Sequence, residues 1–313
     1  MRRLLLSMVA VVLAAAFAAG CSNGSSSSGP IPTKVSGNVL MGGPVSQASV
    51  TLFAIDPSSR KLARLASATT DAAGAYTVVA VLGGQAYLIV ATGGTYTEDA
   101  TGVSHSLGTT RPATLDDATP GVLEAMVGFS SAGTADVTSA LVLVTPLTTI
   151  GSRRVVELSL SAGAAVLVES AVVLANQAVT QALNVGSAAS PVDPRALMPL
   201  DFTNPSDAAA IKQNPLAAAA LYGAALSAIS QSASTLGLTS STTLVDALAM
   251  DFADGTFDGM GPSSNGVPVP VPLSSGTLPP TAGTTGLAQA TTTFLDDPAH
   301  NASGTTAASM GPQ

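Results

Sequence analysis

One cysteine, Cys21, in a chain of 313 residues leaves no partner for a disulfide, so the fold is held without covalent cross-links. Tryptophan is absent and aromatic residues make up 4% of the chain, which leaves few rings on which sugars or bases could stack. Charge is equally scarce at 10%, and what there is leans acidic: nineteen Asp and Glu against eleven Lys and Arg, a net −8. That balance is the reverse of the basic footprint that nucleic-acid binding needs, and it excludes that class of partner. There are two histidines, His105 and His300, both in apparent loops far apart in sequence. No G-x-S-x-G elbow, phosphate-binding glycine loop, zinc-ligand cluster or dinucleotide fingerprint occurs. Ser58-Ser59-Arg60-Lys61 fits S-x-x-K in form alone, without the S-D-N and K-T-G elements that accompany it in working sites. The chain therefore reads as non-enzymatic, and as too thinly charged to be soluble by charge alone; serine, threonine and glycine carry that burden.

The strongest positive signal surrounds the cysteine. Arg2 and Arg3 precede an apolar run from Leu4 to Phe17 that is shorter than the roughly 20 residues of a membrane-spanning helix, and Ala18, Ala19 and Gly20 form a small-residue cleavage neighbourhood. Ala18-Ala19-Gly20-Cys21 resembles the lipobox of bacterial lipoproteins. That resemblance implies that residues 1–20 are a signal peptide and that Cys21 is the lipidated mature N-terminus, carrying thioether-linked diacylglycerol and often an amide-linked acyl chain such as palmitate. Two or three chains anchor far more firmly than one, since each buried methylene contributes about 0.8 kcal/mol. By resemblance to lipoprotein sorting rules, Ser22 after the cysteine points to the outer membrane. Ordinary signal cleavage leaving a free thiol is the plainer alternative. Residues 21–33 then form a Ser/Gly tether that stiffens at its prolines. Losing Arg2 and Arg3 leaves nine basic residues against nineteen acidic ones, a mature net charge of −10.

Beyond the tether the expected fold class is α+β, a strand-rich front followed by an alanine-rich helical region. Between Val35 and Thr92 short apolar runs alternate with the turn segments "GGP", "DPSSRK", "TDAAG" and "LGGQ", as in a small antiparallel β-sandwich. In "SVTLFAI", Val50, Leu52 and Ala54 point one way and Thr51, Phe53 and Ile55 the other, so both faces are expected to be partly covered. Asp71 and Gly74 suit a tight turn. The order Gly37, Gly43-Pro44, Ala48, Thr70-Asp71, Gly74, Tyr76 and Gly83-Gly84 resembles the carboxypeptidase regulatory-like domain, which implies a transthyretin-like seven-strand sandwich over 34–95 and a non-catalytic companion or surface module. Residues 96–160 read as a β-rich bridge whose second strand-like run ends at Pro146 and either closes a sheet or leads into helices. "ATGGTY", "VTPLTT" and the alanine-rich stretch together also look like an architecture of uncharacterised bacterial surface lipoproteins, which implies no chemistry.

Helical periodicity fills 161–260. Glu169, Asn176, Gln177, Thr180, Gln181 and Asn184 form a polar arc on one helix; on the next, Tyr222, Leu226, Ile229 and Ala233 oppose Ser227, Ser230, Gln231 and Ser234; Leu244, Val245, Leu248 and Phe252 share a third face. These stripes read as core packing. Residues 261–313 form a Pro/Gly/Ser/Thr-rich C-terminal segment with one last short helix or strand in "LAQATTTFLDDPAH", and "NASGTTAASMGPQ" is expected to be disordered. In "DFADGTFDG" the carboxylates Asp251, Asp254 and Asp258 could supply oxygen ligands to calcium, the one metal candidate, although their spacing departs from an EF-hand loop. The plainer reading is a solvated turn with glycine C-caps. The functional expectation is a lipid-anchored, non-enzymatic cell-envelope protein that binds or scaffolds, its partners being the membrane and an unknown envelope protein or glycan. An enzyme with an unrecognised site and a calcium-dependent adhesion or assembly module are the alternatives.

Overall fold

Side-chain alternation decides the first layer in the computed structural model, which describes residues 32–313 apart from 84, 129–138, 163–165, 188–189, 263–266, 275 and 311–313. Cys21, the leader and most of the tether lie outside the described residues. The strands are β1 (Pro32–Asn38), β2 (Leu40–Met41), β3 (Gly43–Pro44), β4 (Ser49–Ile55), β5 (Leu62–Thr69), β6 (Ala75–Val81), β7 (Tyr87–Thr92), β8 (Thr95–Thr97), β9 (Ser104–Ser106), β10 (Leu123–Val127) and β11 (Ser139–Leu141). The helices are α1 (Pro146–Ala162), α2 (Glu169–Ala182), α3 (Ala208–Gln213), α4 (Ala218–Thr235), α5 (Ser241–Asp251), α6 (Leu287–Leu295) and α7 (Ala307–Met310), with short two-residue ladders in the later loops. The fold class is α+β.

One sheet has the order β11-β1-β6 and the other β10-β7-β4-β5. Val35 on β1 and Tyr76, Val78 and Ala80 on β6 face Val50, Leu52 and Ala54 on β4 and Tyr87, Ile89 and Ala91 on β7 across one apolar core. Intervening residues Phe53 and Ile55 on β4 and Leu88 and Val90 on β7 point the other way, into a second cluster with Val155 and Val156 of α1 and Val172 and Ala175 of α2. Strand β4 is thus covered on both faces, and each large aliphatic or aromatic side chain fully buried there contributes about 2 kcal/mol. The pairing of β1 with β11 is parallel, whereas the other strand pairs of the two sheets are antiparallel. Gly37 is required at this seam, because a Cβ would lie 1.8 Å from the Val142 carbonyl oxygen. The buried Tyr76 hydroxyl donates to that same oxygen at 2.7 Å, and burial raises its pKa. The expected Asp71 turn forms: its Oδ1 accepts from the amides of Ala73 and Ala75 at 2.8 and 2.9 Å, and Gly74 adopts φ +71°.

Four expectations are corrected. The run before Pro146 both closes the first sheet as β11 and leads into a helix, as its two readings allowed, but residues 146–160 of the stretch read as β-rich bridge are helical. The cause is local: Thr145 and Thr148 cap each other, Thr148 N–H donating to Thr145 Oγ1 and Thr145 N–H to Thr148 Oγ1, and proline is favoured at a first helical position. On α2, Asn176 and Thr180 from the expected polar arc are fully buried. Gly151 of α1 lets the helices approach over Asn176, whose amide donates to the Val172 carbonyl, while Thr180 Oγ1 donates to the Val192 carbonyl at 2.7 Å. The C-terminal stretch is not disordered where it is described. Asn301, Ser303 and Thr305 are buried, Asn301 donating to the carbonyls of Leu295 and Thr305, and Met310 closes a cluster with Phe202 and Phe294. Small polar composition misleads here because the Asn301 and Ser303 side chains bond nearby backbone groups. The layers also cross the boundary drawn at 95, since β10 and β11 complete the two sheets. Among the described residues no helix is long and apolar enough to cross a membrane.

Candidate functional site

The hairpin β8–β9 pairs Thr95 with Ser106, Tyr96 with His105 and Thr97 with Ser104, and its connecting turn holds the adjacent acids Glu98 and Asp99. Reversal of the chain rests on Gly102, at φ +67°, whose amide donates to the Glu98 carbonyl at 2.8 Å. Both acids are buried, at 5% and 4% exposure. Each therefore needs partners, and α4 and α5 supply them. Glu98 Oε1 accepts from the Ser241 amide at 2.7 Å, from Ser241 Oγ at 2.8 Å and from the Tyr96 hydroxyl at 3.2 Å, while Oε2 accepts from Ser230 Oγ at 2.7 Å. Ser241 is the first residue of α5, and Ser240 before it provides no side-chain cap. A carboxylate from a distant hairpin thus caps the helix, where negative charge is favoured by the helix dipole. Tyr96 is pushed up to about 12 by burial and then by the Glu98 charge.

Asp99 is placed differently. Its Oδ2 accepts from Ser227 Oγ at 2.7 Å, and the Gly43 amide donates to the same carboxyl. Burial, helped by the neighbouring Asp201 and Glu98, raises Asp99 to about 7 against the opposing hydrogen bonds. Gly42, at φ +99°, is required beside it: a Cβ there would lie 2.4 Å from Asp99 Oδ2. A Cβ on Gly43 would lie 3.5 Å from Asp201 Oδ2, so the glycine pair passes between the two carboxyls. Asp201 is oriented by Thr203, which donates through its amide at 2.8 Å and its hydroxyl at 2.6 Å.

These groups line a cleft of about 530 Å³, with Ser46, Thr95, Thr97 and Ser104 contributing hydroxyls and the 298–302 segment closing one side. Among the described residues that line it there is no lysine or arginine. His300 stands in that closing segment with Nδ1 2.8 Å from Asp297 Oδ2, a contact that holds the Asp297 carboxyl below the usual range. His105 packs its ring on Tyr96, centroids 6.1 Å apart. A cleft of this size admits a mono- or disaccharide-sized ligand, and its chemistry favours donors and positive charge.

The calcium candidates lie elsewhere. Asp254 Oδ1 accepts from Thr256 and Asp258 Oδ1 from Met260, each holding its own turn, whereas Asp251 Oδ1 reaches across to the amides of Asp258 and Gly259 and its Oδ2 is buried without a hydrogen bond. Among the described residues no group of three or more His, Cys, Asp or Glu stands where it could hold a metal ion. Ser58 and Ser59 bond Asp56 in a turn, and Arg60 reaches away to Asp116. The sequence reading missed the cleft because "GGTYTEDATG" reads as turn chemistry and Ser227 and Ser230 as a solvent face, whereas both serines are buried against the acids. The Glu98-Asp99 pair is itself visible in the sequence, but adjacent acids recur at Asp116-Asp117 and Asp296-Asp297, so nothing in it singled out the cleft.

Two further cavities lie among the described residues. One of about 420 Å³ is lined mainly by alanines, leucines and threonines of α4, α6 and the end of α2. Another, of about 130 Å³, lies beside Glu124, Arg153 and Asp246. Burial raises Glu124 and lifts Asp246 to about 7, with Arg153 opposing both shifts.

Comparison with known proteins adds little. No known family matches the chain, and no curated protein does. Among solved structures, a 9R-lipoxygenase from Cyanothece PCC8801 aligns with 36% of this chain and 16% of its own length at 12% identity and a TM-score of 0.22, a likeness that bears on neither fold nor chemistry.

Proposed function

We propose that the chain is a lipid-anchored, non-enzymatic protein of the cell envelope, held at the outer membrane through Cys21, whose folded part is a binding module. The observation that carries the binding role is the carboxyl-lined cleft at Asp99 and Asp201, which combines three acids, Glu98 among them, and several hydroxyls with no lysine or arginine among its described residues. Such a lining suits a polyhydroxylated ligand bearing an ammonium group, an amino-sugar unit of an envelope glycan being the matching class. The seven strands in two sheets around one core support reading the front of the chain as the transthyretin-like, carboxypeptidase regulatory-like sandwich that its turn spacing resembles.

Calorimetric titration of glucosamine oligosaccharides against their N-acetylated counterparts tests the reading. The amine form is expected to bind with affinity greatest near neutral pH, because Asp99 must give up its proton to meet the cation while the sugar ammonium, which titrates close to the range of an α-amino group, must keep its own. Asp201→Asn should weaken binding at least tenfold. Equal binding of both forms, or no binding of either, refutes the ligand class. The enzymatic alternative has one foothold, the His300–Asp297 pair at the cleft. Turnover of any ligand that His300→Ala abolishes without loss of affinity would replace the present reading with it.

A further inference from the structure

The outer face of the β11-β1-β6 sheet is unlike the rest of this acidic chain. Its three strands, "PTKVSGN", "AYTVVAV" and "SAL", contain no carboxylate and one charged residue, Lys34. Alternation sends Pro32 and Lys34 outward on β1, and Val79 and Val81 outward on β6. Register places Pro32 opposite Val81 and Lys34 opposite Val79, so they form one continuous strip. Val79, Val81 and Leu141 are 58%, 49% and 59% exposed, among the larger apolar exposures of the described residues. A sheet face with this composition in a chain of net −8 calls for an occupant that is apolar and does not carry excess positive charge.

The chain outside the structure says which occupant. Ten residues, 22–31, separate Cys21 from Pro32. Fully extended, the steps from Cys21 to Pro32 span at most about 35 to 40 Å. That segment enters the fold at Pro32, which lies on the apolar strip itself. We infer that this sheet face lies on the bilayer to which Cys21 is attached, with Val79, Val81 and Leu141 at the headgroup–acyl boundary and the Lys34 ammonium paired with lipid phosphate. The inference rests on the anchoring of Cys21 proposed above. Tethering matters to it, because three aliphatic side chains and one lysine bind a membrane weakly in free solution, whereas a short covalent link converts the contact into an intramolecular one. The other consequence is orientation: α1 and α2, on the far side of the second sheet, face away from the lipid.

The absence of tryptophan makes a clean test possible. Full-length protein processed in its host is purified as V79W or as L174W, the latter a reporter on the exposed Leu174 of α2. Each is reconstituted into phosphatidylethanolamine–phosphatidylglycerol vesicles with brominated acyl chains, and circular dichroism verifies the fold. Quenching at least threefold stronger for V79W than for L174W, reduced by K34E in the V79W background, is the expected result. Equal quenching of the two reporters overturns the inference. Intact mass read on the same material separates the two proposals: an unmodified Cys21 removes the anchor and the docking together, whereas acylated Cys21 with V79W unquenched removes the docking alone.

Discussion

Replacing Asp99 with asparagine should invert the pH dependence of stability at one position. In the folded protein the Asp99 carboxyl titrates near 7 because it is buried, against an ordinary value of 3.8. Below pH 4 both folded and unfolded chains hold the proton, and the acid imposes no penalty. Between pH 4 and 7 the unfolded chain releases the proton while the folded chain keeps it, so stability falls by up to about 1.4 kcal/mol per pH unit. Above 7 the full loss, three units or about 4 kcal/mol, is in place. Asparagine cannot ionise, but exchanging one carboxyl oxygen for an NH2 group weakens acceptance from the Ser227 hydroxyl and the Gly43 amide, at a cost of about 1 kcal/mol. The two stability curves should therefore cross: the variant weaker by about 1 kcal/mol at pH 4 and stronger by about 3 kcal/mol at pH 8. Urea unfolding followed by circular dichroism at both pH values measures the difference, which cancels the parallel contribution of Asp246. A constant offset between the curves across this range would refute the placement of Asp99 in a buried, charge-crowded environment.

Glu98→Gln should cost about 2 to 4 kcal/mol, because an amide cannot accept the bonds from Ser241 and Ser230 together; an unchanged urea midpoint would remove the proposed cap of α5. Gly42→Ala should cost at least about 2 kcal/mol, since its backbone is left-handed and the new methyl falls on Asp99; thermal melting reads the loss, and the cleft ligand should bind more weakly in parallel. Met310→Ala should cost about 2 to 4 kcal/mol by opening the Phe202–Phe294 cluster, and a melting temperature equal to that of the parent would mean that the C-terminal turn is not docked.

Local chemistry was legible in the sequence, and long-range pairing was not. The alternation in "SVTLFAI" announced a strand covered on both sides, and Val50, Leu52 and Ala54 indeed separate from Phe53 and Ile55 into two apolar clusters. Asp71 and Gly74 form their expected turn because all its partners lie within four residues. Leu244, Val245, Leu248 and Phe252 are buried as their helical spacing required. By contrast, Ser227 meets Asp99 across 128 positions and Ser241 meets Glu98 across 143, distances at which a serine on a helix carries no mark of its partner. Polarity was read as exposure on α4 and in "NASGTT", and in both places a hydroxyl or amide is inside because it has a specific bond to make. Pro146 illustrates the same limit: one residue fits the end of a strand and the start of a helix, and the reciprocal threonine cap decides between them.

The cleft draws its walls from both ends of the folded chain, from Gly43 to Ala302. A polypeptide made from its amino end therefore leaves this cleft without one of its walls until nearly the last residues have emerged. Premature termination before Pro298 would remove that wall while leaving the strands of both sheets in the chain, so the binding proposed for the cleft should fail before the sandwich does.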